Sequence, residues 1–186
     1  MPKNIGMMGT SRGGSTGLLA VDDKMRARFA QNADVFKAVV AVYPGCTSHF
    51  QVKTASRTKL LVQLAKNDEV APPAQCRQVL SEMKDGGLDV VVTEYEAPHA
   101  WDSAVNGRRV RIPDEQSFGT CNFVIDASGI RTERTTGIRI TSPRLAAGAI
   151  AGCSKDGAYA GSDRQVAARS LAELIAFFRH HLMPRS

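Results

Sequence analysis

The feature that most constrains the fold is a short apolar stretch, residues 5–8, that runs directly into the pattern G-x-S-x-G centred on Ser11. Gly9 and Gly13 lie two residues on either side of this serine, where a Cβ atom would collide across a sharp strand-to-helix turn. A helical pattern with apolar residues follows the turn. The sequence therefore predicts a strand, a turn that projects a serine hydroxyl, and a helix over about residues 12–31.

Ser11 is accordingly a candidate nucleophile. Arg12 follows it in the first turn of the predicted helix, where backbone N–H groups lack helical partners and the helix dipole favours negative charge. We expect the Arg12 N–H to stabilise an oxyanion that forms beside Ser11. Two glycine motifs of nucleotide-binding proteins do not fit, because G-x-G-x-x-G is absent and residues 9–16 lack the lysine of a P-loop.

The composition is that of one ordinary globular protein. The chain has 186 residues, of which 43% are hydrophobic and 23% charged. The formal charge is +6, but the densest basic cluster, Arg108, Arg109 and Arg111, has no aromatic residues between its members. We interpret it as a solvated face or loop, and expect no nucleic-acid partner. No apolar run approaches the roughly 20 residues of a membrane helix, so no membrane partner is expected.

The four cysteines are Cys46, Cys76, Cys121 and Cys153, and none forms a C-x-x-C or Cys/His cluster. A zinc site is therefore not expected, and no cofactor is implied. We interpret Cys46 and Cys76 as buried small apolar residues. Cys121 and Cys153 flank a C-terminal segment, and we predict a disulfide between them. That bond would favour a periplasmic or secreted protein, whereas free thiols would favour the cytoplasm.

Three further apolar runs predict strands buried on both faces of a parallel sheet: residues 36–43, 58–65 and 88–95. Between the last two, apolar residues recur at i, i+3, i+4 and i+7 and predict a helix that ends at residue 85. Residues 46–57 show no period, so we interpret them as a loop with room for a short helix. His49 in this segment is interpreted as an ordinary loop histidine.

Carboxylates and a histidine follow the second and third of these runs. Asp68 is the candidate acid, and its neighbour Glu69 is the main competitor, ranked lower because Asp is shorter and more rigidly placed. His99 lies in a loop shaped by proline and is the candidate base. Asp102 could orient His99 instead, but it lies close to His99 in the sequence. The ordinary alternative makes these residues turn and loop residues without a function.

The order of the candidates along the chain narrows the choice. Ser11, Asp68 and His99 each follow a predicted strand, and the carboxyl ends of parallel strands lie at one edge of a sheet. The order Ser, Asp, His is that of the α/β-hydrolase fold and differs from the orders in chymotrypsin and subtilisin. We therefore expect His99 to accept the Ser11 proton and Asp68 to orient the imidazole.

The remaining residues predict a smaller set of elements. Residues 102–119 are interpreted as a loop, and residues 121–136 as a hairpin that turns at residues 127–129. A helix begins after Ser142 and runs to about residue 151. A last helix is capped by Ser162 or Asp163.

On these residues the sequence resembles the dienelactone hydrolase family of the α/β-hydrolase superfamily. The resemblance rests on residues 5–14 (IGMMGTSRGG), on Asp68 with Pro72 four residues later, and on residues 98–102 (PHAWD). It implies a serine hydrolase that cleaves a small-molecule carboxylic ester or a related acyl bond. Dienelactone hydrolase itself uses a cysteine nucleophile, so Ser11 points to a general ester or thioester hydrolase.

The resemblance also implies a partial fold. Family members carry strands and helices before the strand that leads into the serine turn (the elbow strand), including the loop with the second oxyanion N–H. In this chain only two residues precede Lys3, where this stretch begins. We expect an α/β fold with a mostly parallel sheet, flanking helices and a C-terminal hairpin with helices. Residues 1–115 would be the C-terminal portion of an α/β-hydrolase domain, and residues 116–186 an extension packed on it. The segment from Cys121 to Cys153 looks like that of exported family members.

Without the preceding strands, the elbow strand would have one edge with no partner strand. Its free backbone groups and apolar face would be exposed. We expect the 186-residue chain alone to be poorly stable, and to aggregate or form a homodimer through this edge. The alternative to an active enzyme is a catalytically inactive remnant or interaction module of the same fold.

Overall fold

The computed structural model describes residues 4–23, 25–26, 36–50, 57–104 and 109–183. Its helices and strands follow the chain in this order: β1 (Gly6–Thr10), α1 (Arg12–Ala20), β2 (Ala38–Val42), β3 (Ser48–Phe50), β4 (Lys59–Ala65), α2 (Pro73–Asp85), β5 (Asp89–Tyr95), β6 (Val110–Ser117), β7 (Phe123–Ile125), β8 (Arg131–Glu133), β9 (Arg139–Ile140), α3 (Pro143–Ala151), β10 (Lys155–Ala160) and α4 (Arg164–Leu182).

A four-stranded parallel sheet with the order β1-β2-β4-β5 forms the centre of the described structure. Every residue of β2 is buried, because its run of alanine and valine is covered on both faces. Within the described residues, β1 lies at one edge of this sheet. The apolar runs predicted these strands, and their parallel pairing confirms the expected α/β fold class.

Helices cover both faces of the central sheet. Val39 points to the face that packs on α1 and α2, and Val40 points to the face that packs on α4. This alternation follows from the two-residue period of a strand. Among the described residues, no helix is both long enough and apolar enough to cross a membrane.

Buried polar contacts fasten α4 to the sheet. The Gln63 side chain, which is fully buried, donates to the Ser170 carbonyl at 3.0 Å and to the Glu173 carboxylate at 2.7 Å. The Tyr95 hydroxyl donates to the same carboxylate at 2.8 Å. Asp163, one of the two predicted caps, accepts from the first N–H groups of α4.

Two smaller sheets correct the sequence-based interpretation of two loops. Residues 46–57 contain β3, which pairs in parallel with β7. Residues 102–119 contain β6, which pairs with β10 in a separate antiparallel ribbon. Both strands are short or polar, and β6 is largely exposed, so neither carries an apolar period. The predicted hairpin is confirmed, because β7 and β8 pair in antiparallel fashion.

His49 and two cysteines also differ from their interpretation as ordinary residues. His49 lies in β3, is 8% exposed, and has its Nδ1 3.0 Å from the Glu82 carboxylate. Cys46 and Cys76 are buried but bonded to each other in a disulfide, which joins the segment after β2 to α2. No local sequence pattern indicates these contacts, because the partners are about 30 residues apart.

A second disulfide joins Cys121 to Cys153, the pair that the sequence predicts. It lies in a small apolar cluster between α3 and the sheet that contains β7. Disulfides persist mainly in oxidising compartments. The two bonds therefore favour an exported protein.

Candidate active site

Ser11 is the single residue between β1 and α1, and its backbone is strained. Its φ is +48°, a region that non-glycine residues seldom occupy. Its N–H donates to the Val42 carbonyl at 2.9 Å, which fixes the turn against the end of β2. The sequence pattern predicted this strand–turn–helix arrangement, and the structure has it, but α1 ends at Ala20 and not near residue 31 as predicted.

The two glycines of the pattern have different roles. A Cβ at Gly9 would lie 2.3 Å from the backbone carbon of Gly13, so only glycine fits there. A Cβ at Gly13 would meet nothing within 4 Å, which contradicts the expectation that Gly13 also avoids a collision. Gly14, which lies outside the pattern, is tightly packed, since a Cβ there would come 3.1 Å from the Pro44 side chain.

His99 lies in the loop after β5 and connects Ser11 with Asp68. Its Nε2 is 2.9 Å from Ser11 Oγ, and its Nδ1 is 2.7 Å from Asp68 Oδ2. The residue is 5% exposed, and its carbonyl accepts from the Gly161 N–H at 3.0 Å. The imidazole is therefore held between a hydroxyl and a carboxylate, with one ring nitrogen facing each.

The Asp68 carboxylate is fixed by the chain that follows it. Its Oδ1 accepts the N–H groups of Val70 at 2.9 Å and Ala71 at 2.7 Å, which leaves Oδ2 for His99. Its side chain is 1% exposed. Both oxygens of this carboxylate are therefore held by hydrogen bonds.

Both competing carboxylates have other partners. Glu69 lies beside Asp68 in the sequence but forms an exposed ion pair with Arg109. Asp102 accepts a hydrogen bond from the Tyr43 hydroxyl. Of the candidate carboxylates, it is therefore Asp68 that contacts the imidazole of His99.

Arg12 begins α1, so its backbone N–H lies in the first turn and has no partner within the helix. The Arg12 side chain is exposed. This N–H is adjacent to Ser11 and at the positive end of the helix dipole. Its position suits a donor to an anion that forms beside the serine oxygen.

Tyr43 is a residue of this site that the sequence reasoning missed. It is 4% exposed, and its ring centroid lies 4.8 Å from that of His99 and 4.7 Å from that of Trp101, edge to face. Burial, together with the bond to Asp102, raises the pKa of Tyr43 well above its ordinary value. The phenol therefore stays protonated. In the sequence Tyr43 ends an apolar run before Pro44, and this position predicts burial but no role in the site.

A cavity of about 660 Å³ lies beside Asp68. Acidic and basic side chains share its lining, among them Lys66, Glu69, Glu96 and Arg109. Ser11 is not part of that lining.

Comparison with solved structures finds esterases. Esterase 2 of Thermogutta terrifontis, phosphonylated by cyclosarin, is 15% identical over 57% of this chain and 48% of that one, with a TM-score of 0.45. A carboxylesterase of Lactobacillus plantarum is 12% identical and matches 100% of this chain and 62% of its own, with a TM-score of 0.52. A Klebsiella pneumoniae protein, provisionally assigned as a dienelactone hydrolase, is 18% identical over 52% of this chain and 41% of its own, with a TM-score of 0.38.

The chain spans about half of the length of the Thermogutta esterase and 62% of the Lactobacillus carboxylesterase. No protein-family model matches the chain, and no curated protein matches it. The likeness to the Lactobacillus carboxylesterase shows the fold alone, because the identity is 12%. The chain has a partial α/β-hydrolase-like fold, as the sequence resemblance implied.

Proposed function

We propose that this chain is a serine hydrolase of the dienelactone hydrolase type, which cleaves a carboxylic ester or a related acyl bond. One observation carries the proposal: a continuous hydrogen-bonded series from Ser11 through His99 to Asp68, at 2.9 and 2.7 Å. A hydroxyl, an imidazole and a buried carboxylate in this series are the groups that activate a serine nucleophile. The strained backbone of Ser11 supports it, since such strain clusters at functional sites.

The reaction follows from these positions. Ser11 Oγ attacks the carbonyl carbon of the ester while His99 Nε2 takes its proton. The carbonyl oxygen becomes an oxyanion, to which the Arg12 N–H donates. Collapse of this intermediate breaks the ester bond, and His99 gives the proton to the leaving alcohol. Water, deprotonated by His99, then attacks the acyl group on Ser11 and releases the acid.

Asp68 orients the His99 imidazole and does not itself take up a proton. Because its Oδ1 is occupied by two backbone N–H groups, its Oδ2 accepts from the Nδ1–H of His99. That bond selects the tautomer whose Nε2 is free to accept the Ser11 proton. The carboxylate also stabilises the imidazolium that forms.

The setting of the enzyme is part of the proposal. Two disulfides support a periplasmic or secreted hydrolase. The substrate is a small ester, and the proposed steps need no cofactor. Dimerisation through the β1 edge stays a prediction.

A fluorophosphonate probe tests the proposal, because it reacts with activated serines. The wild-type chain is incubated with the probe, and the labelled peptide is identified by mass spectrometry. Ser11→Ala should abolish both labelling and hydrolysis of a short-chain nitrophenyl ester. Ser15→Ala is the matched control, because Ser15 lies one turn further along α1 and its hydroxyl bonds to the backbone of Gly45 and to the carbonyl of Ser11, not to His99. A well-folded wild type that neither labels nor turns over would favour the inactive remnant.

A further inference from the structure

Three non-glycine residues of the described ranges have positive φ, and all three lie at the candidate site. They are Ser11 at +48°, Tyr43 at +36° and Ala100 at +60°. Such strain costs about 1 to 3 kcal/mol per residue and persists where the surrounding structure requires it. Ser11 forms the sharp turn, and Ala100 directly follows His99. The proposed reaction gives no role to Tyr43, whose strain therefore needs another reason.

The backbone of Tyr43 lies beside the turn at Ser11. Its N–H donates to the Gln63 carbonyl at 2.7 Å, and the carbonyl of the preceding Val42 accepts the Ser11 N–H at 2.9 Å. Tyr43 thus continues β2 to the point where the serine turn is anchored. From there its ring reaches the edge-to-face contact with His99.

The phenol hydroxyl joins the two sides of the site. It donates to Asp102, three residues after His99, and it interacts with the side chain of Thr10, which directly precedes Ser11. One buried side chain therefore contacts the strand that delivers the nucleophile and the loop that delivers the base.

Backbone hydrogen bonds hold the loop from the other side. The carbonyls of His99 and Trp101 accept the N–H groups of Gly161 at 3.0 Å and Asp163 at 2.8 Å. These bonds attach the loop to the segment between β10 and α4. The bond from Tyr43 to Asp102 attaches it to the elbow, on the side where Nε2 must meet Ser11.

We propose that Tyr43 is a positioning residue, which holds the His99 imidazole in line between Ser11 and Asp68 through its ring contact and its bond to Asp102. The proposal rests on the proposed hydrolase function of this site. Tyr43 transfers no proton in the proposed reaction. It acts by limiting the directions in which the imidazole and its loop can move.

Tyr43→Phe tests the proposal, with Tyr95→Phe as the matched control. Both tyrosines are buried, both pack edge to face on Trp101, and both donate a hydroxyl to a carboxylate, but the ring contact with His99 is that of Tyr43. We expect Tyr43→Phe to lower kcat about 10- to 100-fold with little change in KM, because small displacements of a catalytic group are costly. Tyr95→Phe should leave kcat unchanged, although it removes an equivalent hydrogen bond.

Variants of Asp102 complete the test. Asp102→Ala should reproduce the loss of Tyr43→Phe, and the double variant should be no worse than either, because both remove one bond. Asp102→Asn keeps an oxygen that can accept from the phenol and should restore most of kcat. The proposal would be overturned if Tyr43→Phe and Tyr95→Phe had equal kcat. It would also be overturned if kcat of Asp102→Asn were no higher than kcat of Asp102→Ala.

A spectroscopic measurement separates this proposal from the hydrolase function. The proton between His99 Nδ1 and Asp68 should give a downfield proton NMR signal that disappears in Asp68→Ala. Tyr43→Phe should broaden or shift that signal, and Tyr95→Phe should leave it as in the wild type. An inactive wild type would refute the hydrolase function, whereas an unchanged signal in Tyr43→Phe would refute the positioning role.

Discussion

Replacement of Asp68 by asparagine tests the proposed chemistry with little change in shape. In Asp68→Asn the amide oxygen can keep the bonds that Oδ1 makes with the N–H groups of Val70 and Ala71. The amide NH₂ would then take the position of Oδ2, which lies 2.7 Å from His99 Nδ1. An NH₂ group cannot accept the Nδ1 proton. The imidazole must therefore take the tautomer that carries its proton on Nε2, toward Ser11.

The expected loss of kcat is large because this tautomer cannot accept the Ser11 proton. The same substitution in the trypsin-type triad lowers kcat about 10,000-fold, which we adopt as the expected magnitude. That factor corresponds to about 5.4 kcal/mol of transition-state stabilisation. The free energy of unfolding should fall by only about 1 to 2 kcal/mol, because two N–H bonds to a charged acceptor become bonds to a neutral one.

Glu69→Gln is the matched control, since Glu69 is the neighbouring carboxylate and the competing candidate. Its exposed ion pair with Arg109 should contribute less than about 1 kcal/mol. Hydrolysis of a nitrophenyl ester gives kcat, and urea denaturation gives the unfolding free energy. If Asp68→Asn kept more than about a tenth of kcat, or if Glu69→Gln lost more than Asp68→Asn, the assignment of the acid would be wrong.

Three further predictions concern other parts of the molecule. Gly9→Ala should prevent folding or abolish activity, because the new Cβ would lie 2.3 Å from the Gly13 backbone, whereas Gly13→Ala should preserve both in thermal unfolding and ester hydrolysis assays. Replacing both Cys46 and Cys76 by alanine should lower the unfolding free energy in urea by about 3 to 4 kcal/mol, given the chain that this disulfide closes. Burial tends to raise the pKa of Glu133, but hydrogen bonds from Thr136 and neighbouring backbone groups outweigh burial and lower that pKa. The Glu133 carboxylate therefore stabilises the fold at neutral pH, and this stabilisation is lost as the pH falls through the lowered pKa. Acid unfolding followed by circular dichroism should show a smaller pH dependence in Glu133→Gln, and an identical curve would contradict the assignment.

The central sheet could be predicted because its signals are local. The strand at residues 38–42 has apolar side chains on both faces, and such a run has few alternatives to a buried parallel strand. The strand at residues 110–117 is different, because it is largely exposed and contains polar residues and a proline. Its pairing with residues 155–160 depends on tertiary contact and leaves no period in the sequence.

Part of the candidate site could likewise be predicted from local signals, and part of it depends on tertiary contacts. Ser11, Asp68 and His99 could be named because each follows a strand, and parallel strands bring their carboxyl ends to one edge. The choice of Asp68 over Glu69 rested on side-chain length, and the geometry gives a stronger reason. Two backbone N–H groups orient the Asp68 carboxylate toward His99, whereas Glu69 turns outward to Arg109.

Tyr43 shows why the rest of the site could not be read from the sequence. Its role depends on three partners, Thr10, His99 and Asp102, which lie 33 to 59 residues away along the chain and meet only after the sheet has formed. In the sequence it is the last aromatic residue of an apolar run, where burial alone explains its presence. Its positive φ is the feature that separates it from a core tyrosine such as Tyr95, and backbone strain appears only in the folded structure. If backbone strain marks functional residues in this fold, Tyr43→Phe should lower kcat and Tyr95→Phe should not, because Tyr43 has a positive φ and Tyr95 does not.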